Sequence, residues 1–554
     1  MILAFNFNYV SKNGVLESLL KEIAVDFDIT HKILRKDSIV TLYVDADESR
    51  LGAFADYLSA SLPLSIFFKS SSVEVVEDFP LDEEVLPIMV APIIFTPKQL
   101  ALVDNSDSKT YLFPFTQPLE NSSTSLFENA QELLHVKNTL EYKNMYERVA
   151  TLIAKGETIT IQTRNSSYSI GKIENTQHID DFEVIATDLS VVERMVVCQE
   201  NEMKALASLE RPAIRFKVNA LYEQKGILEQ KRVFMRLFDD LLLYQLCKKL
   251  FEKGVFFLFR TVTPTCKTKY SVIAESVEGN SEPLRVSVLE NGTILLLNGT
   301  HYASKELKES LKKFDEPSHA SFASLLQEHQ LFDAESSCFY LSKMHDDRIM
   351  HYSKEHGMLN LVSFSVPVSF VELFAQIERS GESARRLVQN YKEQFAHIYT
   401  RAINTSIPQD APQNIYTLWG IVSVVLGLSE TFENATEQLI ENAEDYGGEK
   451  GPRIDYYLEK EDALSADFDY VRFVRSGMSY KLAGTDDNTL SFGYIESLAY
   501  FITDTADAHR ENLSAKNIAL GGALFGYRRL SEMVCKNLKP NHTICFNREL
   551  PIDQ

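Results

Sequence analysis

Apolar and polar positions recur with two periods along this chain, and the order of those periods outlines its architecture. Ile2-Leu3-Ala4-Phe5 reads as a strand, and Val15 to Val25 carries apolar residues at helical spacing. Ser38 to Val44 alternates as a strand, Arg50 to Leu58 returns to the helical period, and Ser72 to Val76 is a last strand. Strand-helix-strand-strand-helix-strand would make residues 1–85 a ferredoxin-like α+β domain. Residues 86–135 carry Pro, Ser and Asn with little periodicity and read as a linker, with short strands at Pro87 to Phe95 and Thr110 to Phe113. An α/β domain is expected over 136–280. It has a helix from Glu141 to Lys155 stopped by Gly156, strands at Thr158 to Gln162 and Ala213 to Phe216, a helix from Asp239 to Lys253 and a buried strand, Val255 to Phe259. A third α/β region, 281–554, opens with Leu284 to Leu289, Asn291-Gly292 and Thr293 to Leu297, a hairpin signature. Helices dominate it from 303 to 330 and from 383 to 445.

Near the end, Ile518 to Leu520 reads as a short buried strand, followed by Gly521-Gly522 and helical spacing through Leu530-Ser531-Glu532-Met533-Val534. Two readings fit. Glycines let a backbone approach a phosphate at a helix N-terminus, or they simply make a strand-to-helix turn.

Composition changes this picture little. The chain has 554 residues, 45% hydrophobic and 24% charged, which is ordinary for globular domains. Its formal net charge of −22 disfavours nucleic acid as the main partner. Cysteines at 198, 247, 266, 338, 535 and 545 include no C-x-x-C pair, so no zinc ribbon or thioredoxin-type motif is expected. Sparse cysteines, no apolar run of membrane-spanning length and an N-terminus without a basic leader point to the cytoplasm.

Several stretches resemble, in order, the HypF family, carbamoyltransferases that begin cyanide-ligand synthesis for NiFe hydrogenases. Tyr416-Thr417-Leu418-Trp419-Gly420-Ile421-Val422-Ser423-Val424-Val425-Leu426-Gly427-Leu428 resembles the family's LFDAVAALLGL helix. Phe432 to Glu441 is similar to YEGQAAMELE, Ile518 to Phe525 to VALSGGVF, and Leu550 to Gln554 stands against PPNDGG. Upstream, Tyr146 to Ile170 and the segment Ala205 to Ile214, with Arg211-Pro212, resemble the YrdC-like domain, and residues 1–85 fall where the family has its acylphosphatase-like domain. The resemblance implies an acylphosphatase-like domain (1–85), a YrdC-like domain (136–280) and a C-terminal carbamoyltransferase-like domain of the actin-like ASKHA type (281–554).

The departures from the family pattern bear on function. Ser11 to Glu17 replaces the phosphate-holding turn without its Arg, leaving Lys12 and an opposing Glu17. Gln162 stands where the YrdC-like strand has Lys, and the zinc-finger pair and the HHAH metal run are missing. His345 and Asp347 fall near the family's DLHPDY. His351 and His356, five apart, do not share a helix face, so a solvated polar helix is expected there. Asp553 matches a metal-binding Asp without its histidine partners and is expected to be exposed. No catalytic or metal-binding residue is therefore expected; His345 and Asp553 are the only weak metal candidates. Gly521, Gly522 and Glu433 match residual nucleotide-binding positions, while Leu520 and Gly420 replace the family's Ser and Asp. No cofactor is expected, and ATP is what a surviving site would take.

The resemblance with these losses implies a hydrogenase maturation or assembly factor with degenerate sites. Its partners would be a hydrogenase subunit or other maturation proteins. Two alternatives stand beside it: an active carbamoyltransferase using carbamoyl phosphate and ATP, and a nucleotide-regulated binding module. Glu437, Glu441, Glu444 and Asp445, three or four apart, are either an acidic partner-facing surface or a solvated helix face.

Overall fold

A computed structural model describes the chain except residues 83–123, 137–138, 165, 178, 180, 240, 263–267, 275–283, 300–301, 461–465 and 554. The strands expected at Pro87 to Phe95 and Thr110 to Phe113 lie outside the described residues. The chain divides into two units, Met1–Ser304 and Lys305–Gln554.

The first unit begins with the expected α+β order. β1 (Ile2–Tyr9), α1 (Val15–Asp26), β2 (Thr30–Lys36), β3 (Ile39–Asp45), α2 (Glu48–Ser61) and β4 (Phe68–Val76) form a four-stranded sheet in the order β2-β3-β1-β4. β1 pairs antiparallel with both β3 and β4. Alternation along β1 puts Phe5 and Phe7 into the core, where Leu20 and Phe54 from the helices meet them. Asp47 caps α2, accepting from the Arg50 N–H at 3.0 Å. The same core cluster runs on into the following domain through Val184, Phe216 and Met235.

That domain is built on a sheet with twelve described strands. Residues expected to be linker belong to it: Thr124–Glu128 and Gln131–Val136 form a hairpin whose first strand pairs with Tyr270–Ala274. The hairpin Arg285–Val288 and Ile294–Leu296, expected to open the third region, instead pairs with Ala213–Val218 and extends this sheet at its other end. The reason is register. Ala213 lies beside Arg285 in parallel, and Val286 is fully buried on the sheet.

The second unit holds a seven-stranded sheet. Ser336–Tyr340 and Asn517–Gly521 run parallel in its interior, and Thr543–Cys545 continues the parallel run at the edge. The polar helix expected around His351 is a β-hairpin, Arg348–Ser353 with Gly357–Ser363. His351 faces Ser337 across the neighbouring strand, which period-five spacing could not reveal. The helix Ile415–Leu426 is apolar all round because every residue but Tyr416 is buried. Asn414 caps its start by accepting from the Thr417 N–H, and Gly427 ends it at φ 72°.

Candidate functional site

The Gly-Gly turn is built as the sequence suggests. Strand Asn517–Gly521 runs into Gly522 at φ 98°, a short turn Ala523–Gly526 and the helix Arg528–Leu538. Its amides are turned to the protein. The Gly522 N–H donates to the Ile552 carbonyl, and the Leu524 N–H donates to the Leu341 carbonyl at 3.0 Å. A β-carbon on Gly522 would stand 2.6 Å from the Leu341 nitrogen and closer still to its carbonyl. Close packing of two backbones thus explains this glycine. Gly420 has a similar origin. A β-carbon there would lie 2.9 Å from Thr436 Oγ1, which donates to the Tyr416 carbonyl, so the two helices meet where the family carries Asp.

Asp553 is held rather than exposed. Tyr340 OH donates to Oδ1 at 2.8 Å, and Ser342 Oγ donates to Oδ2 at 2.8 Å. Asp347, fully buried, accepts from the Ser342 and Ile415 N–H groups, both at 2.7 Å. Burial drives its carboxyl well above the usual range. His345 joins this loop through its main chain, its N–H donating to Ser342 Oγ and its carbonyl accepting from Asn414 Nδ2. The structure therefore brings Asp553, Asp347 and the main chain of His345 around Ser342. The carboxylates spend their lone pairs on protein donors, and among the described residues no group of three or more His, Cys, Asp or Glu could hold a metal.

Glu433 is exposed, and its carbonyl accepts from Thr431 Oγ1. One turn on, Glu437 is the focus of a polar cage. Its Oε1 accepts from Lys343 Nζ at 2.7 Å, Tyr527 OH at 2.7 Å and Tyr416 OH at 2.9 Å. Lys343 also lies over the rings of Tyr416 and Tyr527, 5.2 and 4.8 Å from their centroids. Burial pushes the Glu437 carboxyl up, but Lys343 and the two phenols outweigh it and hold the group below the ordinary value. The helix Ala435–Asp445 forms as expected, yet its acidic side is not a free surface. Glu437 turns inward, and Glu441, Glu444 and Asp445 are half-buried.

In the first unit, the β1–α1 loop closes on itself. Arg35, from β2, reaches it: Nη1 pairs with buried Glu17 at 2.5 Å, and Nη2 donates to the Tyr9 and Ser11 carbonyls at 2.8 and 2.7 Å. Asn13 accepts from the Val15 N–H through Oδ1, while Lys12 stays exposed. Sequence reasoning looked for an Arg within the loop. This one comes from a neighbouring strand, and Glu17 answers it.

In the twelve-stranded sheet, Gln162 is exposed on Ile159–Thr163. A buried ion network lies across nearby strands. Asp239 Oδ2 pairs with Arg236 Nη2 and Arg260 Nη1, each at 2.8 Å. Glu183 pairs with Arg285 Nε at 2.8 Å and Arg236 Nη1 at 3.4 Å. Arg260 and Glu183 are direct cross-strand partners, which positions the layer. No sequence motif marks these residues, because they converge only through strand register.

Burial raises the Glu183 carboxyl, but Arg236 and Arg285 outweigh burial and leave it below its ordinary value. A depressed carboxyl contributes stability that is full above the unfolded value of about 4.3 and fades as pH falls through the lower folded value. Urea unfolding followed from pH 7 down to pH 3 is therefore expected to show a steeper acid loss in the parent than in Glu183→Gln. Equal slopes would remove Glu183 from the account.

Comparison with solved structures places this fold. Two HypF crystal structures match over the whole chain: the full-length protein in a phosphate- and nucleotide-bound form, at TM-score 0.63 and 13% identity over 96% of that chain, and T. kodakarensis HypF, at TM-score 0.70 and 11% identity over 97%. The chain thus has the multidomain α/β and α+β fold of HypF. Among curated proteins, it is 27% identical to Protein HydE of Wolinella succinogenes over the full length of both chains. No family model matches.

Proposed function

We propose that this chain is a hydrogenase maturation or assembly factor, derived from a HypF-like carbamoyltransferase, that acts through contact and not through catalysis. The single observation behind this reading is that the polar groups at and beside the positions matched to the family's sites are engaged by the chain's own groups. Arg35 is spent on Glu17 and on loop carbonyls, the Gly522 N–H on Ile552, and Asp553 on Tyr340 and Ser342. A fold of this size retains its core whether or not a site works, so the fold can outlive the chemistry. Its partners are a hydrogenase subunit or another maturation protein, met in the cytoplasm. Among the described residues no helix is long and apolar enough to cross a membrane.

The test is complementation of a deletion strain with a combined variant, Lys12→Ala, Glu433→Ala, His345→Ala and Asp553→Asn. Hydrogenase activity at the parental level is expected. Loss of activity, with solubility and circular dichroism intact, would instead support the alternative of a transferase using carbamoyl phosphate and ATP.

A further inference from the structure

We propose that the cavity between β4, β1 and the two helices of the N-terminal sheet binds an uncharged, largely apolar small molecule. It is a cavity of about 400 Å³, partly open to solvent along β4, a small-molecule size and far above the voids left by close packing. Phe5 and Phe7 of β1 line it. It stays open because small side chains stand on facing walls: Ser71 of β4, opposite Phe7 in register, and Ala55 and Ser59 of α2. β4 is an edge strand with Phe68 and Val73 exposed beside the opening, so the rim is apolar as well.

The lining decides the ligand's chemistry. Among the described residues its polar side chains are serine and tyrosine hydroxyls, with no Asp, Glu, Lys, Arg or His. An ionic head would lose its hydration there and meet no counter-charge. Tyr9 lines the cavity but is 1% exposed, and its hydroxyl has no solvent access and lies near Ser65 and Asn13, so it is not offered to a ligand. The site fits a neutral, apolar body. It stands independently of whether the chain acts through contact or catalysis.

The test is fluorescence titration of the full-length protein with N-phenyl-1-naphthylamine, an uncharged dye. Saturable, blue-shifted binding is expected. Ser71→Phe and Ala55→Leu, which fill the cavity, should each weaken it by at least about tenfold. Ser70→Phe, paired with Asn8 on the other sheet face, should bind as the parent does. Ser71 is exposed, so its variant decides the matter if Ala55→Leu misfolds by circular dichroism. Absence of saturable binding, or binding unchanged in Ser71→Phe, overturns the proposal.

Discussion

Gly522→Ala is expected to prevent the C-terminal unit from folding, and chemical denaturation of whatever soluble protein remains should show a loss of about 4 kcal/mol or more. Two costs act together. At φ 98° and ψ 152° the residue sits in a region reserved for glycine. Its added β-carbon would also press on the Leu341 main chain, 2.6 Å from the nitrogen. That neighbour cannot yield, because the Leu341 N–H donates to the Gly521 carbonyl and the Leu341 carbonyl accepts from Leu524. Backbone, unlike the tip of a flexible side chain, has no rotamer to give. Gly447→Ala is the matched control. It is exposed, has no left-handed φ and would meet nothing within 4 Å, so a change within about 0.5 kcal/mol is expected. A folded Gly522→Ala protein of parental stability would show that the turn is looser than drawn. It would also reopen the reading of these glycines as a phosphate cradle.

Much of the fold was legible from periodicity. β1, α1, β3, α2 and β4 lie where apolar spacing put them, and so does the strand before the Gly-Gly turn; the helix Ile415–Leu426 lies where the family resemblance placed a helix. What escaped had physical reasons. β2 (Thr30–Lys36) buries only Ile33 fully, so its pattern is faint. The hairpin at 124–136 turns through Asn129 and Ala130, both at positive φ. Such a turn usually announces itself by Asn-Gly, and alanine hides it. Arg35 and Glu17 are eighteen positions apart, and only the folded sheet joins them. The acidic spacing of Glu437, Glu441, Glu444 and Asp445 was real, but spacing cannot say which side of a helix faces inward. Lys343, Tyr416 and Tyr527 settle that for Glu437. Position in the chain says little about the environment a side chain meets. Asp553 was expected in solvent and is instead a hydrogen-bond hub.

The buried ion network yields the second large effect. Asp239→Ala is expected to cost about 3–5 kcal/mol, because it leaves Arg236 and Arg260 charged, desolvated and short of a partner. Both guanidinium groups are at least nine-tenths buried and reach Asp239 at 2.8 Å. Glu183 cannot take over. It already answers Arg285 at 2.8 Å and lies 3.4 Å from Arg236. The desolvation penalty of an orphaned cation exceeds what one lost ion pair at the surface would cost, where exposed pairs contribute about 1 kcal/mol or less. Lys354→Ala supplies that comparison: its contact with Asp333 joins two exposed side chains, and its removal should barely move the urea midpoint. The double variant Asp239→Leu with Arg260→Met separates the two sources of loss. If the penalty of Asp239→Ala comes mainly from the stranded charge on Arg260, removing that charge with its partner should recover a substantial part of the stability. If the double variant is no more stable than Asp239→Ala, the deficit lies in packing and in Arg236 instead, and the network matters for shape more than for charge.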